Sequence, residues 1–255
     1  MLFRSWTPRR PQQPAQALTT GSGVSMVNRP RVCIAGATGL VGRAVLVRLM
    51  QQARMGAVTA LLRQPGQSAS LPDGVLGKVV DYSALGRAGE PGLPALDWAV
   101  CCLGTTIKVA GSQAAFRAVD FDAVLAFARA AKVAGASRLA VISALGADAR
   151  SAVFYNRVKG EMEQAVRALD LPHLVIARPS LLLGERTALG QPTRPVELMA
   201  QMLMPAFGWL TPRRLRPIQA DVVAAALVAA LAGDQPGIQV IESDGLQALA
   251  DAQAT

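Results

Sequence analysis

The stretch FYNRVKGEME, residues 154–163, sets Tyr155 and Lys159 four positions apart. On a helix that spacing places both side chains on one face, a turn from each other. A phenol that ionises near pH ~10 is a poor proton donor or acceptor at neutral pH, and an adjacent ammonium stabilises its phenolate. Such a pair can give a proton to a carbonyl oxygen while hydride reaches the carbon, and the lysine has N–H groups to spare for a nicotinamide ribose. Bulk composition does not supply these residues. The chain holds 2 tyrosines, and its only lysines are those at 78, 108, 132 and 159, against 22 arginines. Val158, Met162, Ala165, Val166 and Leu169 recur at helical spacing and form an apolar stripe. Tyr155 and Lys159 project from its margin toward the body of the domain, where a lysine is costly unless paired or used. Ser143 ends the preceding run RLAVISA, from which its hydroxyl can steady the same oxygen. The competing reading is a tyrosine at an ordinary helix end, beside a lysine whose stem lies along apolar surface.

A second constellation lies upstream. GATGLVG carries Gly36, Gly39 and Gly42 at GxxGxxG spacing, between an apolar run and a helical stretch. In that context Gly36 permits a sharp turn and Gly39 lets a pyrophosphate approach the backbone, while Gly42 allows close helix–sheet packing. The helix start then offers N–H groups to the anion, and Thr38 adds a hydroxyl. After the second strand an acid would hold an NAD ribose. This chain instead reads VTALLRQPGQ, with Arg63 and no acid. A guanidinium matches a 2′-phosphate, so the expected cofactor is NADP(H). Asp81, after KVV, is placed to accept from an adenine amino group, and CCLGTT puts Gly104 and Thr105 at a strand end lining the crevice.

The elements that must position these residues alternate from Arg31 onward. RVCIAGA, VTALL, KVVD, WAVCCLG, RLAVISA and HLVIARPS are short apolar runs, and helical stretches separate most of them. SQAAFRAVDFDAVLAFARAAKVAG, residues 112–135, reads as one long helix ending at Gly135. This pattern predicts an α/β fold, a doubly wound parallel sheet of the Rossmann type. After Ser180 a Gly- and Pro-punctuated loop leads to the Met-rich PVELMAQMLMPAFGWL, then to the helix ADVVAAALVAALAG, capped at Asp221 or just before it, and the last strand IQVIES. That material predicts a small C-terminal lobe on the substrate side. The expected organisation is a disordered tail over residues 1–29 and one Rossmann domain over 30–255, with 181–216 above the substrate crevice.

GATGLVG, CCLGTT, VISALGAD, YNRVK and RPSLLLGER, in this order over residues 30–250, resemble the atypical short-chain dehydrogenase/reductases, and within them the NADPH-binding branch around the Tat-interacting protein. The resemblance implies that Thr38, Gly39, Leu40 and Val41 wrap the pyrophosphate, that Arg63 holds the 2′-phosphate and that Leu103 and Gly104 line the adenosine side. It further implies that Tyr155 and Lys159 flank the nicotinamide ribose, that the backbone after Arg178–Pro179 meets the carboxamide, and that Ser143 is the serine of the family's strand end. One element departs from the pattern. Where classical members carry an asparagine after the fourth strand, this chain reads FRAVDFD, with Asp120 nearest. Some members of the branch resemble cofactor-binding regulators, so the resemblance implies either an oxidoreductase of an unidentified carbonyl or alcohol, or a non-catalytic NADPH sensor or scaffold. Nucleotide-sugar epimerisation shares the fold but keeps NAD, which Arg63 disfavours.

Composition narrows the remaining classes. The formal charge of +9 is spread along the chain, and aromatics are only 4%, too few for base-stacking platforms, so no nucleic-acid partner is expected. Cys33, Cys101 and Cys102 are odd in number and lie in apolar runs, which points to a reducing compartment, here the cytoplasm. His173 is the only histidine, so no metal site is expected. No apolar run reaches the ~18 residues of a membrane span. Residues 1–29 contain arginines and no acids; they read either as an organelle-targeting segment or as the plain extension adopted above, with Met26 an alternative start. The fold leaves homo-oligomerisation open.

Overall fold

The continuous apolar runs are strands covered on both faces. The computed structural model describes residues 29–87, 92–184 and 212–253. In it β1 (Val32–Ala35), β2 (Val58–Leu62), β3 (Val75–Val79), β4 (Trp98–Cys101), β5 (Arg138–Ile142) and β6 (His173–Arg178) join a late strand, Gly237–Glu242, in one seven-stranded sheet. Two short strands, β7 (Leu182–Leu183) and β8 (Ile218–Gln219), pair apart from it, so the late strand is β9. The main sheet runs β3-β2-β1-β4-β5-β6-β9, and every pairing is parallel. β1 and β2 are buried at every residue, whereas the edge strands β3 and β9 are largely exposed. The doubly wound Rossmann fold expected from the sequence is present.

Side-chain alternation divides the core. Val32, Ile34, Val58 and Ala60 face α1 (Leu40–Gln51) and two late helices, Ala220–Ala232 and Ser243–Ala252. Cys33, Ala35 and Leu61 face the opposite layer, where Phe127, Ala131, Met162 and Val166 close over the sheet. The chain enters that layer through two short helices, α2 (Ile107–Ala110) and α3 (Gln113–Arg117), and continues in α4 (Val124–Val133) and α5 (Phe154–Arg167). The late pair are therefore α6 and α7. Ser112 caps α3, its side chain accepting from the Ala115 N–H at 3.0 Å, and Gly135 with φ +97° ends α4.

Three expectations need correction. The long helix over 112–135 is interrupted: Ala118–Ala123 forms a π-helical turn between α3 and α4. Such a turn widens the backbone and re-aims side chains, and here it carries Asp120 to full burial. The sequence reading stopped at the strand β9 and missed α7, whose main anchor is the buried Leu246. It also read residues from 181 as plain loop, whereas Leu182 and Leu183 pair with Ile218 and Gln219. The N-cap of α6 is Gln219, and Asp221 sits in the first turn, where its charge suits the helix dipole. The tail expected over 1–29, except Arg29, lies outside the described residues, and so do most of 181–216 and the Met-rich segment.

Candidate active site

The glycine turn is built on contacts that tolerate no side chain. Gly36 has φ +78°, and a Cβ there would lie 2.6 Å from the Cys102 carbonyl carbon and oxygen. The turn after β1 is thus pressed against the turn after β4. A Cβ on Gly42 would stand 2.1 Å from the Gly36 carbonyl oxygen, so this glycine serves contact within the turn as well as helix packing. Gly39 differs: a Cβ there would meet only the Gly36 oxygen, at 3.3 Å, with nothing else within 4 Å. Gly39 caps α1 with extended backbone, no side chain caps the helix, and its first turn holds no acid. The first intrahelical bond runs from the Arg43 N–H to the Gly39 carbonyl at 3.0 Å, so the N–H groups of Leu40, Val41 and Gly42 precede it. The Arg43 guanidinium donates to the Thr38 carbonyl at 3.3 Å. Open backbone, free donors and positive charge fit a pyrophosphate.

The second half of the site is charged and buried. Tyr155 lies in the first turn of α5, and its ring packs against buried Phe116 at 5.3 Å between centroids. Lys159, one turn on, is 2% exposed. Its ammonium lies 2.8 Å from Asp120 Oδ1 and donates to the Ile142 carbonyl at 3.3 Å. The other Asp120 oxygen accepts from the Thr105 N–H at 2.9 Å. Burial alone would pull the lysine's pKa down, but the Asp120 charge, with Tyr155 beside it, outweighs burial and holds it above the ordinary 10.5. Asp120, which the sequence reading noted only as standing where an asparagine was expected, is therefore part of the constellation. The π-helical turn that delivers it left no signal in the apolar periodicity.

Ser143 follows β5, and its N–H donates to the Ala177 carbonyl at 2.7 Å. Its side-chain oxygen is buried and has no hydrogen-bond partner among the described residues. Ser143 and Tyr155 line one cavity of about 420 Å³, whose wall also takes in Ser180 and the apolar Leu145, Leu181, Leu182 and Leu215. Cross-links fasten that wall. The Ser180 N–H donates to Ser243 Oγ at 2.7 Å, the Ser180 hydroxyl donates to the Arg216 carbonyl, and the Ile218 N–H donates to the Leu181 carbonyl at 2.9 Å. Gly160, next to Lys159, is another enforced glycine: a Cβ there would lie 2.1 Å from the Ala149 nitrogen.

The remaining candidates are distributed as follows. Arg63 follows β2 and is exposed; its N–H donates to Gln67 Oε1 at 2.9 Å. Asp81 is exposed and accepts from the Ser83 N–H at 2.8 Å, and those serine hydrogen bonds hold its carboxyl below the usual range. The Leu103 nitrogen abuts the Gly36 turn. Gly104 sits against the ion pair, since a Cβ there would be 3.4 Å from Asp120 Oδ1 and 3.8 Å from Lys159 Nζ. The Arg178 guanidinium does not point to the cavity's chemistry; it grips buried Glu163 through two bonds of 2.8 and 2.7 Å. Pro179 lines the cavity. Cys33 and Cys101 are packing residues, their thiols pushed up to about 12, chiefly by burial. Among the described residues no cluster of histidine, cysteine and acidic side chains can hold a metal, and no helix is long and apolar enough to cross a membrane.

Comparison with known proteins gives the family and the fold. The NAD(P)H-binding family matches residues 36–202. The mitochondrial protein fmp52 of Emericella nidulans is 34% identical over 180 residues, covering 69% of this chain and 76% of its own. HTATIP2 of Rattus norvegicus is 35% identical over 171 residues, 67% of this chain and 68% of its own. In fold, the chain is similar to MoeE5 in complex with UDP-glucose and NAD (TM-score 0.61, 16% identity, 88% of this chain and 81% of that one). WbmG of Bordetella bronchiseptica in complex with NAD is comparable (TM-score 0.60, 17% identity, 89% and 78%). The cytoplasmic expectation is overturned here, because the fungal relatives are named mitochondrial proteins.

Proposed function

Because the chain belongs to the NAD(P)H-binding family of atypical short-chain dehydrogenase/reductases, we propose that it transfers hydride between NADPH and the carbonyl or alcohol carbon of a small molecule, with Tyr155 exchanging the proton. The observation that carries this reading is the cavity that Tyr155 and Ser143 line together, beside Ser180 and a wall made largely of leucines. Both hydroxyls suit one substrate oxygen, and the leucines suit an apolar substrate body.

Bound NADPH supplies the hydride. The free N–H groups at the start of α1 hold its pyrophosphate, and Arg63 takes the 2′-phosphate. Asp81 and Leu103 serve the adenosine, and the backbone after Pro179 the carboxamide. Lysine has three N–H donors, and two of those on Lys159 are spoken for by Asp120 and Ile142, which leaves one for the ribose. In the reducing direction the Tyr155 O–H bond breaks and its proton passes to the substrate oxygen as the carbon accepts hydride, while Ser143 donates to the same oxygen. We place the protein in the mitochondrion, in keeping with the names of its fungal relatives and the acid-free, arginine-bearing residues 1–29.

A second reading, an NADPH sensor or scaffold without turnover, draws on one observation: the lysine charge is already matched by Asp120. Tyr155→Phe separates the two. On the enzyme reading the variant keeps NADPH affinity and loses turnover of test aldehydes and ketones by about 100-fold or more. Turnover equal to that of the parent refutes Tyr155 as the proton donor. A parent protein that binds NADPH and reduces none of a broad carbonyl panel supports the sensor.

A further inference from the structure

We propose that Asp120 is a positioning residue of the Tyr155 site: it fixes Lys159 against the Ile142 carbonyl and cancels most of the positive charge that the ammonium would otherwise place beside the phenol. The inference rests on the reading of Tyr155 as proton donor, and its test uses neither turnover nor cofactor.

Geometry supports it at each step. Asp120 is fully buried and 2.8 Å from Lys159 Nζ, and its second oxygen is anchored by the Thr105 N–H, so the carboxylate cannot swing away without losing a part-buried hydrogen bond. The π-helical turn places it there. Gly104 packs beside both side chains. The other ionisable groups brought in by neighbouring elements do not replace this charge. Cys101 on β4 is a buried thiol held neutral, and Arg117 of α3 is paired with Glu161 of α5. Ser143, after β5, and the Phe116 ring are uncharged. A lysine alone beside a phenol favours the phenolate, whereas a lysine bound to a buried carboxylate does so much less.

The chain's two tyrosines make this measurable. Tyr82→Phe removes one, so that tyrosinate absorbance in a pH titration of the full-length protein reports Tyr155 alone, and adding Tyr155→Phe must abolish the signal. In the Tyr82→Phe background, Asp120→Asn keeps the size and the acceptor for Thr105 but deletes the charge. Its phenolate is expected to form at the same pH as in the background protein or lower, and lower wherever Lys159 keeps its proton against burial once Asp120 is gone. A higher midpoint overturns the proposal. A second variant covers the case in which Asp120→Asn does not fold, judged by circular dichroism. Asp120→Asn with Lys159→Met removes both charges together, a change that buried pairs tolerate. If Asp120 cancels the lysine, this variant titrates within about half a unit of the background protein. A rise of about one unit or more means that the ammonium acts uncancelled, and the proposal fails. Either result is independent of whether the protein turns over a substrate.

Discussion

Gly160→Ala is a sensitive test of how α5 is held. In an exposed helix interior this substitution stabilises by about 1 kcal/mol, because alanine has the higher helix propensity. Here the added methyl carbon would sit 2.1 Å from the Ala149 nitrogen and 2.2 Å from the Asp148 carbonyl carbon, about 1.3 Å short of ordinary van der Waals contact. Both obstacles are backbone, so no side chain can rotate aside. The segment that carries them is itself tied to the helix, the Asp148 N–H donating to the Asn156 carbonyl at 3.1 Å. Overpacking of this kind costs about 3 kcal/mol at the upper end of its usual range. Set against the propensity gain, the net loss is about 2 kcal/mol. For a chain of this size that lowers Tm by about 4–8 °C. The helix can relieve the overlap only by moving outward, which carries Lys159 away from Asp120, so NADPH affinity is expected to fall as well. Differential scanning fluorimetry with and without NADPH reads both effects. Gly66→Ala is the control: nothing lies within 4 Å of a Cβ there, and its Tm is expected to hold or rise. A Gly160→Ala protein as stable as the parent, or more stable, would refute the close approach of residues 148–149 to α5.

Arg63→Glu is expected to weaken NADPH binding by about 100-fold and NADH binding far less, measured by calorimetric titration; equal losses for both would remove the 2′-phosphate assignment. Glu163→Gln takes the carboxylate from the two-pronged Arg178 contact and should destabilise by about 2 kcal/mol in urea unfolding, less than a fully buried pair would lose because Arg178 keeps some solvent. His173 is held below its ordinary 6.5 by burial first and the Arg138 charge second. The unfolded chain therefore takes up a proton that the folded one resists. Stability from this site is complete above about pH 6.5 and declines as the pH falls below it, and His173→Gln should flatten that part of the Tm–pH curve.

The parts of the molecule that the sequence made legible are those where one physical constraint dominates. Strands buried on both faces must be uniformly apolar, so VTALL and WAVC stood out. A strand–turn–helix junction where a Cβ would lie 2.6 Å from another backbone must use glycine, so Gly36 stood out. Tyr155 and Lys159 could be paired because helical spacing is fixed. Asp120 was harder to read, because it belongs with Lys159 only after a π-helical turn adds its extra backbone width, and hydrophobic periodicity is blind to a single widened turn. The helix α7 was missed because one buried leucine, Leu246, carries most of its attachment, too little to register as a stripe. Arg178 was placed at the cofactor site through the backbone that follows it, and its guanidinium turns instead to Glu163. A strand end by itself places a residue near the crevice without saying where its side chain turns.

The cavity wall has a property that the sheet lacks. Leu181, Leu182 and Leu215 hang on β7, on the turn before β8 and on the Ser180–Ser243 bond, none of which contributes a strand to the seven-stranded sheet. Part of the surface proposed to meet substrate is thus a removable panel, fixed to a frame that carries the α1 turn independently. Substitutions in the panel can change which molecule enters while the α1 turn and the Asp120–Lys159 pair stay in place. One frame could in this way serve many substrates through a lineage, with the panel diverging faster than the crevice beneath it.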